Sequence, residues 1–404
     1  MQRTGFSTCL RIAAFMLSIA ASLNAQTEKI LYTFTGQSDG GMPVAGLISD
    51  SQGNLYGTAS GGGIGSFCRS CGTVFELSPE PNGAWAQKVL YTFDGDPDGS
   101  NPASKLTFDG KGNLYGTTEL GGLNSAGTVF ELIPGTGGTW TEKILHSFSF
   151  TGDGCVPSNN GVVIDGDGNL YGYTQSCGSH GFGTAYKLAP QSDGSWIEKN
   201  LHDFTENSDG AFPSGQPIID KDGNLYGVTS TGGANDYGAV FKLTRQTSGL
   251  WTFIVVYSFT SAGAIYPYNT LTFDGAGNLY GISTLSVFEL IPGSNGTWTE
   301  KSLHKFAGGT DGADPLSVLV FDNAGNLYGT TQYGGEHHGT VFELTPGPGG
   351  AWTEKILHRF SSAGSPDGTL PGTGPLTVDA KGNVYGTTSF SGLNKQGVVF
   401  EITP

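Results

Sequence analysis

The sequence is poor in charge, in basic clusters, in helical periodicity and in long apolar runs. Charged residues fill only 13% of its 404 positions, with 19 Lys and Arg against 35 Asp and Glu. A formal net charge of −16 and a pI near 4.7 leave no basic face for a nucleic-acid backbone or an anionic membrane surface. No stretch keeps a 3.6-residue apolar period, so almost no helix is expected. No apolar run after residue 25 is long enough to span a bilayer. The Gly-x-Ser-x-Gly elbow, the His-Glu-x-x-His helix motif, the phosphate loop and the dinucleotide fingerprint are all missing. The familiar enzyme classes that announce themselves by such motifs are therefore excluded on that ground.

What is present is glycine, 67 residues of it, and one pentapeptide written seven times. Gly-Asn-Leu-Tyr-Gly places its tyrosine at Tyr56, Tyr115, Tyr171, Tyr226, Tyr280, Tyr328 and Tyr385, and only the last copy differs, with Val384 for leucine. Spacings of 48 to 59 residues mark an array of small identical sheets. One unit reads as strand a (Lys105–Phe108), a tight turn, strand b (Leu114–Thr118), a Gly-rich loop, strand c (Gly127–Leu132), a second turn and strand d (Trp140–Phe148). Seven units of four short antiparallel strands predict an all-β, seven-bladed β-propeller forming a single domain over residues 26–404. The ends are complementary. Gln26–Phe34 reads as a strand d with no strand c before it, and Gly397–Pro404 as a strand c with no strand d after it. Pairing the N-terminal strand with the C-terminal blade closes the ring and removes its open edges. The six tryptophans agree: each starts a strand d, and only the split blade lacks one.

Residues 1–25 read as a secretory signal, with Arg3 and Arg11 in a positive segment, Ile12–Leu23 as the apolar stretch and Leu23-Asn24-Ala25 before the cut. A secreted or periplasmic monomer is expected. The loops entering strand a and those joining b to c share one face, and the irregular loops fall there. Cys68, Cys71, Cys155 and Cys177 lie on that face, and their loop positions pair Cys155 with Cys177 and Cys68 with Cys71 as disulfides. Cys177 and His180 have metal-ligand spacing, but no second ligand pair is nearby in sequence.

Two other groups on this face are candidates for ligand binding. Blade 5 departs from the pattern at Ser261–Tyr268, where Tyr266 and Tyr268 would rim a notch. Asp39, Asp98, Asp153, Asp209, Asp311 and Asp367 occupy one turn in six of seven blades, each followed by glycine. They are expected near the channel mouth, as turn caps or as a ring of oxygens able to attract Ca²⁺. No metal or cofactor is otherwise required. His146, His202, His304 and His358 share one strand-d position with Tyr32, Tyr91 and Tyr257, which reads as a packing or hydrogen-bonding site and not as a ligand. On the opposite face Asp50, Asp109, Asp165, Asp220, Asp274, Asp322 and Asp379 read as turn formers.

The D-x-x-G-N-L-Y-G, G-T-V-F-E-L and W-T-E-K-I-L-H-x-F blocks resemble the bacterial GloVer repeat, found in choice-of-anchor tandem repeat GloVer-containing proteins. The resemblance covers residues 28–404. It implies an exported bacterial protein tethered at its C-terminus by an anchor domain. This sequence stops inside its last blade, so free secretion or periplasmic residence is expected instead. The resemblance carries no site residues. The functional expectation is a non-enzymatic binding or scaffold module for a glycan or protein partner. The alternatives are a glycan hydrolase or lyase using channel-mouth carboxylates, and a purely structural surface or matrix component.

Overall fold

The computed structural model describes residues 26–157, 161–335, 337–361 and 364–403. The signal segment at residues 1–25 lies outside the described residues. Seven antiparallel sheets follow one another along the chain, each with strands in the order a, b, c, d, and together they form a seven-bladed propeller. Strand a is innermost and strand d outermost. Blade 2 shows the pattern, with strands at Thr107–Phe108, Leu114–Thr118, Thr128–Pro134 and Trp140–Ser147. The ring closes as the ends of the sequence imply. Thr27–Thr33 is strand d of blade 7 and pairs antiparallel with Val398–Thr403, from Thr27 opposite Thr403 to Thr33 opposite Val398. Among the described residues helix is confined to three single 3₁₀ turns, at Thr136–Gly138, Gly309–Asp311 and Pro348–Gly350.

The repeat fixes this because strand b is buried along its whole length while strand d is mostly half-buried with its exposed residues near its start. The strand-b tyrosine lies between blades, where Tyr115 meets Trp196 of the next blade edge to face at 6.4 Å. Strand c contributes Phe130, which is fully buried; burying such a ring stabilises by about 1.5–3 kcal/mol. The glycine after the tyrosine is fixed by that ring. A Cβ on Gly116 would lie 2.5 Å from Phe130. The opposite-face aspartates are turn formers throughout. Asp109 Oδ1 accepts the N–H groups of Lys111 and Asn113 at 2.8 and 2.9 Å, and its six counterparts make the same pair of bonds.

Strand a varies among the blades in a way that shapes the channel. It covers two residues in blades 1, 2 and 3, is split in blade 6 (Ala313–Pro315 and Val320–Phe321) and blade 7 (Thr369–Pro371 and Thr377–Val378), and runs unbroken over Ala211–Ile219 in blade 4 and Pro267–Phe273 in blade 5. Both long strands carry a register break, between Ser214 and Ile218 and between Tyr268 and Thr272. Residues inside the breaks no longer pair with strand b, so the chain bulges towards the axis.

Candidate functional site

The bulges build the floor of an axial funnel. From blade 5, Asn269 Nδ2 donates across the channel to the carbonyls of Leu316 in blade 6 and Thr373 in blade 7, at 2.6 and 2.5 Å. From blade 4, Gln216 Nε2 donates to Thr107 Oγ1 of blade 2 at 2.9 Å and to the Val162 carbonyl of blade 3. These side chains narrow the channel to a waist of about 30 Å³, lined also by Lys105. Lys105 is charged in a ring otherwise made of Gly46, Gly161, Gln216, Thr270, Val318 and Pro375, and burial pushes its ammonium pKa down.

Above the waist lies a cavity of about 430 Å³ lined by Gln175, Ser214, Tyr268, Asn269, Thr284, Asp314, Leu316, Gln332 and Thr373. Six of these nine are neutral amides or aliphatic hydroxyls, and Asp314 is the one carboxylate. The Tyr268 ring is 37% exposed at the rim. The shortened b-to-c connection of blade 5, only Thr284 and Leu285 between its two strands, opens that side. Larger furrows exist on the opposite face, one of about 670 Å³ beside Asp165 and Arg245. They recur with similar linings at other blade junctions, beside Asp50 and Asp379 and beside Asp109 and Asp165. They are products of the repeat, whereas the funnel occurs once.

Around the funnel stands a ring of strained residues. Met42, Asn101, Val156, Phe212, Tyr266, Asp314 and Leu370 each precede a proline and each have φ between 51° and 56°. A left-handed backbone at a bulky non-glycine residue costs on the order of 1–3 kcal/mol and collects at functional sites. The fold holds six of them, all but Asp314, by a backbone bond to the preceding blade, as Tyr266 N–H to the Tyr237 carbonyl at 2.9 Å and Asn101 N–H to the Cys71 carbonyl at 3.0 Å. Seven different side chains are thus displayed from one repeated backbone geometry.

The six turn aspartates do not line the funnel. Each points outward, to the His or Tyr of strand d and to its own turn. Asp39 accepts Tyr32 Oη–H at 3.0 Å and Thr35 N–H at 2.8 Å. Asp98 accepts Asp94 N–H at 2.8 Å, close to Tyr91. Asp153 and Asp209 bond His146 and His202 at 3.1 and 3.0 Å. Asp311 and Asp367 accept the N–H groups of Ala307 and Ser361, at 2.6 and 2.9 Å, and face His304 and His358. Blade 5, which lacks the aspartate, substitutes Glu300, which accepts Tyr257 Oη–H at 2.9 Å and Ala264 N–H at 2.6 Å. The next blade adds a glutamate to most of these junctions. Burial pushes Glu142 up to about 8, Glu198 to about 7 and Glu354 to about 8. Burial lowers the imidazole pKa of His146 and His202 against the pull of their aspartates.

Tyr266 and Tyr268 separate. Tyr268 enters the funnel, while Tyr266 leans on Tyr237 with ring centres 5.8 Å apart. Both disulfides form, Cys68–Cys71 and Cys155–Cys177. Among the described residues no helix is long and apolar enough to cross a membrane.

A family model described as the Gloeobacter/Verrucomicrobia repeat matches residues 15–192, 136–287 and 286–404. The chain belongs to this repeat family. No curated protein sequence matches it at a significant level. Among solved structures, virginiamycin B lyase from Staphylococcus aureus is similar with a TM-score of 0.56 at 15% identity, over 94% of this chain and 99% of that one. A protein from Lactobacillus plantarum gives 0.58 at 13% identity, over 86% and 98%. The extracellular domain of a protein assigned to a hybrid two component system of B. thetaiotaomicron gives 0.56 at 13% identity, over 93% of this chain and 39% of that one. At such identities the likeness shows the propeller fold.

Within this Gloeobacter/Verrucomicrobia repeat protein, the funnel and its strained ring are the residues that sequence reasoning missed. A signal for the ring was present. Met42-Pro43, Asn101-Pro102, Val156-Pro157, Phe212-Pro213, Tyr266-Pro267, Asp314-Pro315 and Leu370-Pro371 repeat a fixed proline behind a residue that changes in every blade. No comparable signal marks Gln216 or Asn269, whose reach across the axis depends on strand breaks.

Proposed function

We propose that this protein is an exported, non-enzymatic binding propeller whose axial funnel takes an uncharged sugar residue of a glycan. The observation that carries the reading is the lining of the cavity. Gln175, Ser214, Thr284, Gln332 and Thr373 offer both donors and acceptors without charge, as a polyol requires. Tyr268 supplies the single aromatic platform at the rim. The volume of about 430 Å³ is in the range of small-ligand sites. A formal net charge of −16 disfavours anionic ligands. Export is supported by the signal-type N-terminal segment and by two disulfides, which persist in oxidising compartments.

Hydrolysis by paired carboxylates needs two of them about 5–10 Å apart, and Asp314 is the one acid in this lining. The test is a glycan screen of residues 26–404 followed by the same screen on Tyr268→Ala and Gln332→Ala. The expected result is binding of neutral glycans that each variant weakens about three- to tenfold, the effect of one lost polar or ring contact. Binding unchanged in both variants, or a hydrolysed glycan, contradicts the reading.

A further inference from the structure

Two neighbouring blade junctions differ from the other five, and we infer that each binds a divalent transition-metal ion of the Zn²⁺ class. The junction of blades 6 and 7 brings together Glu28, His358 and Asp367, and that of blades 5 and 6 brings together His304, Asp311 and Glu354. In both, one ligand atom from each residue lies within 4.8 Å of the other two.

The contrast with the other junctions carries the argument. Where Tyr32 or Tyr257 takes the histidine position, its hydroxyl is bonded to a carboxylate at 3.0 or 2.9 Å. Where His146 or His202 takes it, Nε2 is hydrogen-bonded to the turn aspartate at 3.1 or 3.0 Å. At the two unusual junctions the imidazole has backed away from both acids. His358 Nε2 is 3.5 Å from Asp367 Oδ2 and 3.9 Å from Glu28 Oε1. His304 Nε2 is 3.3 Å from Asp311 Oδ1 and 3.8 Å from Glu354 Oε1, with no hydrogen bond formed. Those spacings are poor for hydrogen bonds. They suit two ligands of one cation, because donors each about 2.1 Å from a tetrahedral ion stand about 3.4 Å apart.

A second observation is independent of the spacing. Asp367 is only 5% exposed, and its Oδ1 has no hydrogen-bond partner among the described residues. Glu28 Oε1 and His358 Nε2, at the same place, are likewise buried and unpartnered, as are His304 Nε2 and Glu354 Oε1 at the sister junction. Orphaned polar atoms of this kind are costly unless something pairs with them. Two carboxylates balance a dication, and one imidazole nitrogen favours the first transition row over Ca²⁺, which takes six to eight oxygens. Three protein ligands leave a fourth position for water. Glu28 also lies on the N-terminal strand that closes blade 7, so an ion there would tie that strand to blade 6.

The experiment is calorimetric titration of chelator-treated protein with Zn²⁺, with metal content read after dialysis. The wild type is expected to take two equivalents, His358→Tyr one, and His304→Tyr with His358→Tyr none. His146→Tyr, at a hydrogen-bonded junction, is expected to keep two. Tyrosine is the replacement because the fold already carries it at Tyr32, Tyr91 and Tyr257; circular dichroism and melting check that each variant is folded. Folded chelator-treated wild type that takes no Zn²⁺ overturns the inference, as does a folded double variant that keeps both equivalents.

Discussion

Glu142 is a carboxylate that the fold drives towards its neutral form. It shares the junction of blades 1 and 2 with Tyr91 and Asp98, its Oε1 is buried without a hydrogen-bond partner among the described residues, and burial followed by the Asp98 charge lifts its pKa to about 8. A raised carboxylate pKa means that the folded state holds the proton where the unfolded chain, near 4.5, has released it. The residue therefore costs nothing below about pH 4.5 and destabilises increasingly as pH rises to about 8. Glu142→Gln removes that dependence. The variant is expected to match wild type at pH 4.5 and, with the shift discounted for solvent screening of a partly exposed group, to exceed it by about 3 kcal/mol at pH 9, measured by urea denaturation at both values. An equal difference at the two pH values would contradict the account. The residue scale is also where sequence reading was weakest. The turn positions of Asp39, Asp98, Asp153, Asp209, Asp311 and Asp367 were legible, because each sits before a glycine in a fixed block. Their direction was not, because a period along the chain does not say whether a turn carboxylate faces the axis or the outer strand. The histidine position was legible as a hydrogen-bonding site from its exchange with tyrosine, which holds at His146 and His202 but not at His304 and His358, and the glutamates that meet it come from the next blade, about 50 residues away.

Strands and loops were more readable than side-chain directions. The blocks around Tyr115, Phe130 and Trp140 gave each strand its place in the blade, because alternation and turn chemistry are local. Strand a of blades 4 and 5 was not readable. Its length and inward bulge depend on neighbours such as Gly215, where a Cβ would lie 2.2 Å from the Asn269 backbone of the adjoining blade. The loops of blade 3 are tied by Cys155–Cys177, which closes a 22-residue separation that includes strands a and b. Constraining a loop of that size stabilises by about 3 kcal/mol, while the three-residue Cys68–Cys71 link constrains little. Replacing both Cys155 and Cys177 by serine is expected to lower stability by about 2–4 kcal/mol. Replacing Cys68 and Cys71 is expected to cost less than half of that. Chemical denaturation of the two variants checks the order, and a larger loss from the short link would contradict it.

Across the whole molecule, ring closure and the single axis decide behaviour. Among the described residues the strand Thr27–Thr33 is the only partner of the outer edge of Val398–Thr403, and Phe34, just beyond it, is fully buried. Removing residues 26–34 leaves an unpaired strand edge and opens the packing between blades 7 and 1. The shortened chain is expected to lose its single cooperative unfolding transition and to associate in size-exclusion chromatography. A cooperative monomer would mean that the ring does not depend on that strand. The ring also separates two kinds of surface: features repeated up to seven times, such as the junction furrows, and the funnel, which exists once because blades 4 and 5 break the pattern. Stoichiometry therefore tests the proposed function directly. Calorimetric titration of residues 26–404 with a neutral glycan is predicted to give one equivalent per chain, lost or weakened about tenfold by Tyr268→Ala. Several equivalents per chain indifferent to Tyr268→Ala, or no heat with any neutral glycan, would contradict an axial sugar site.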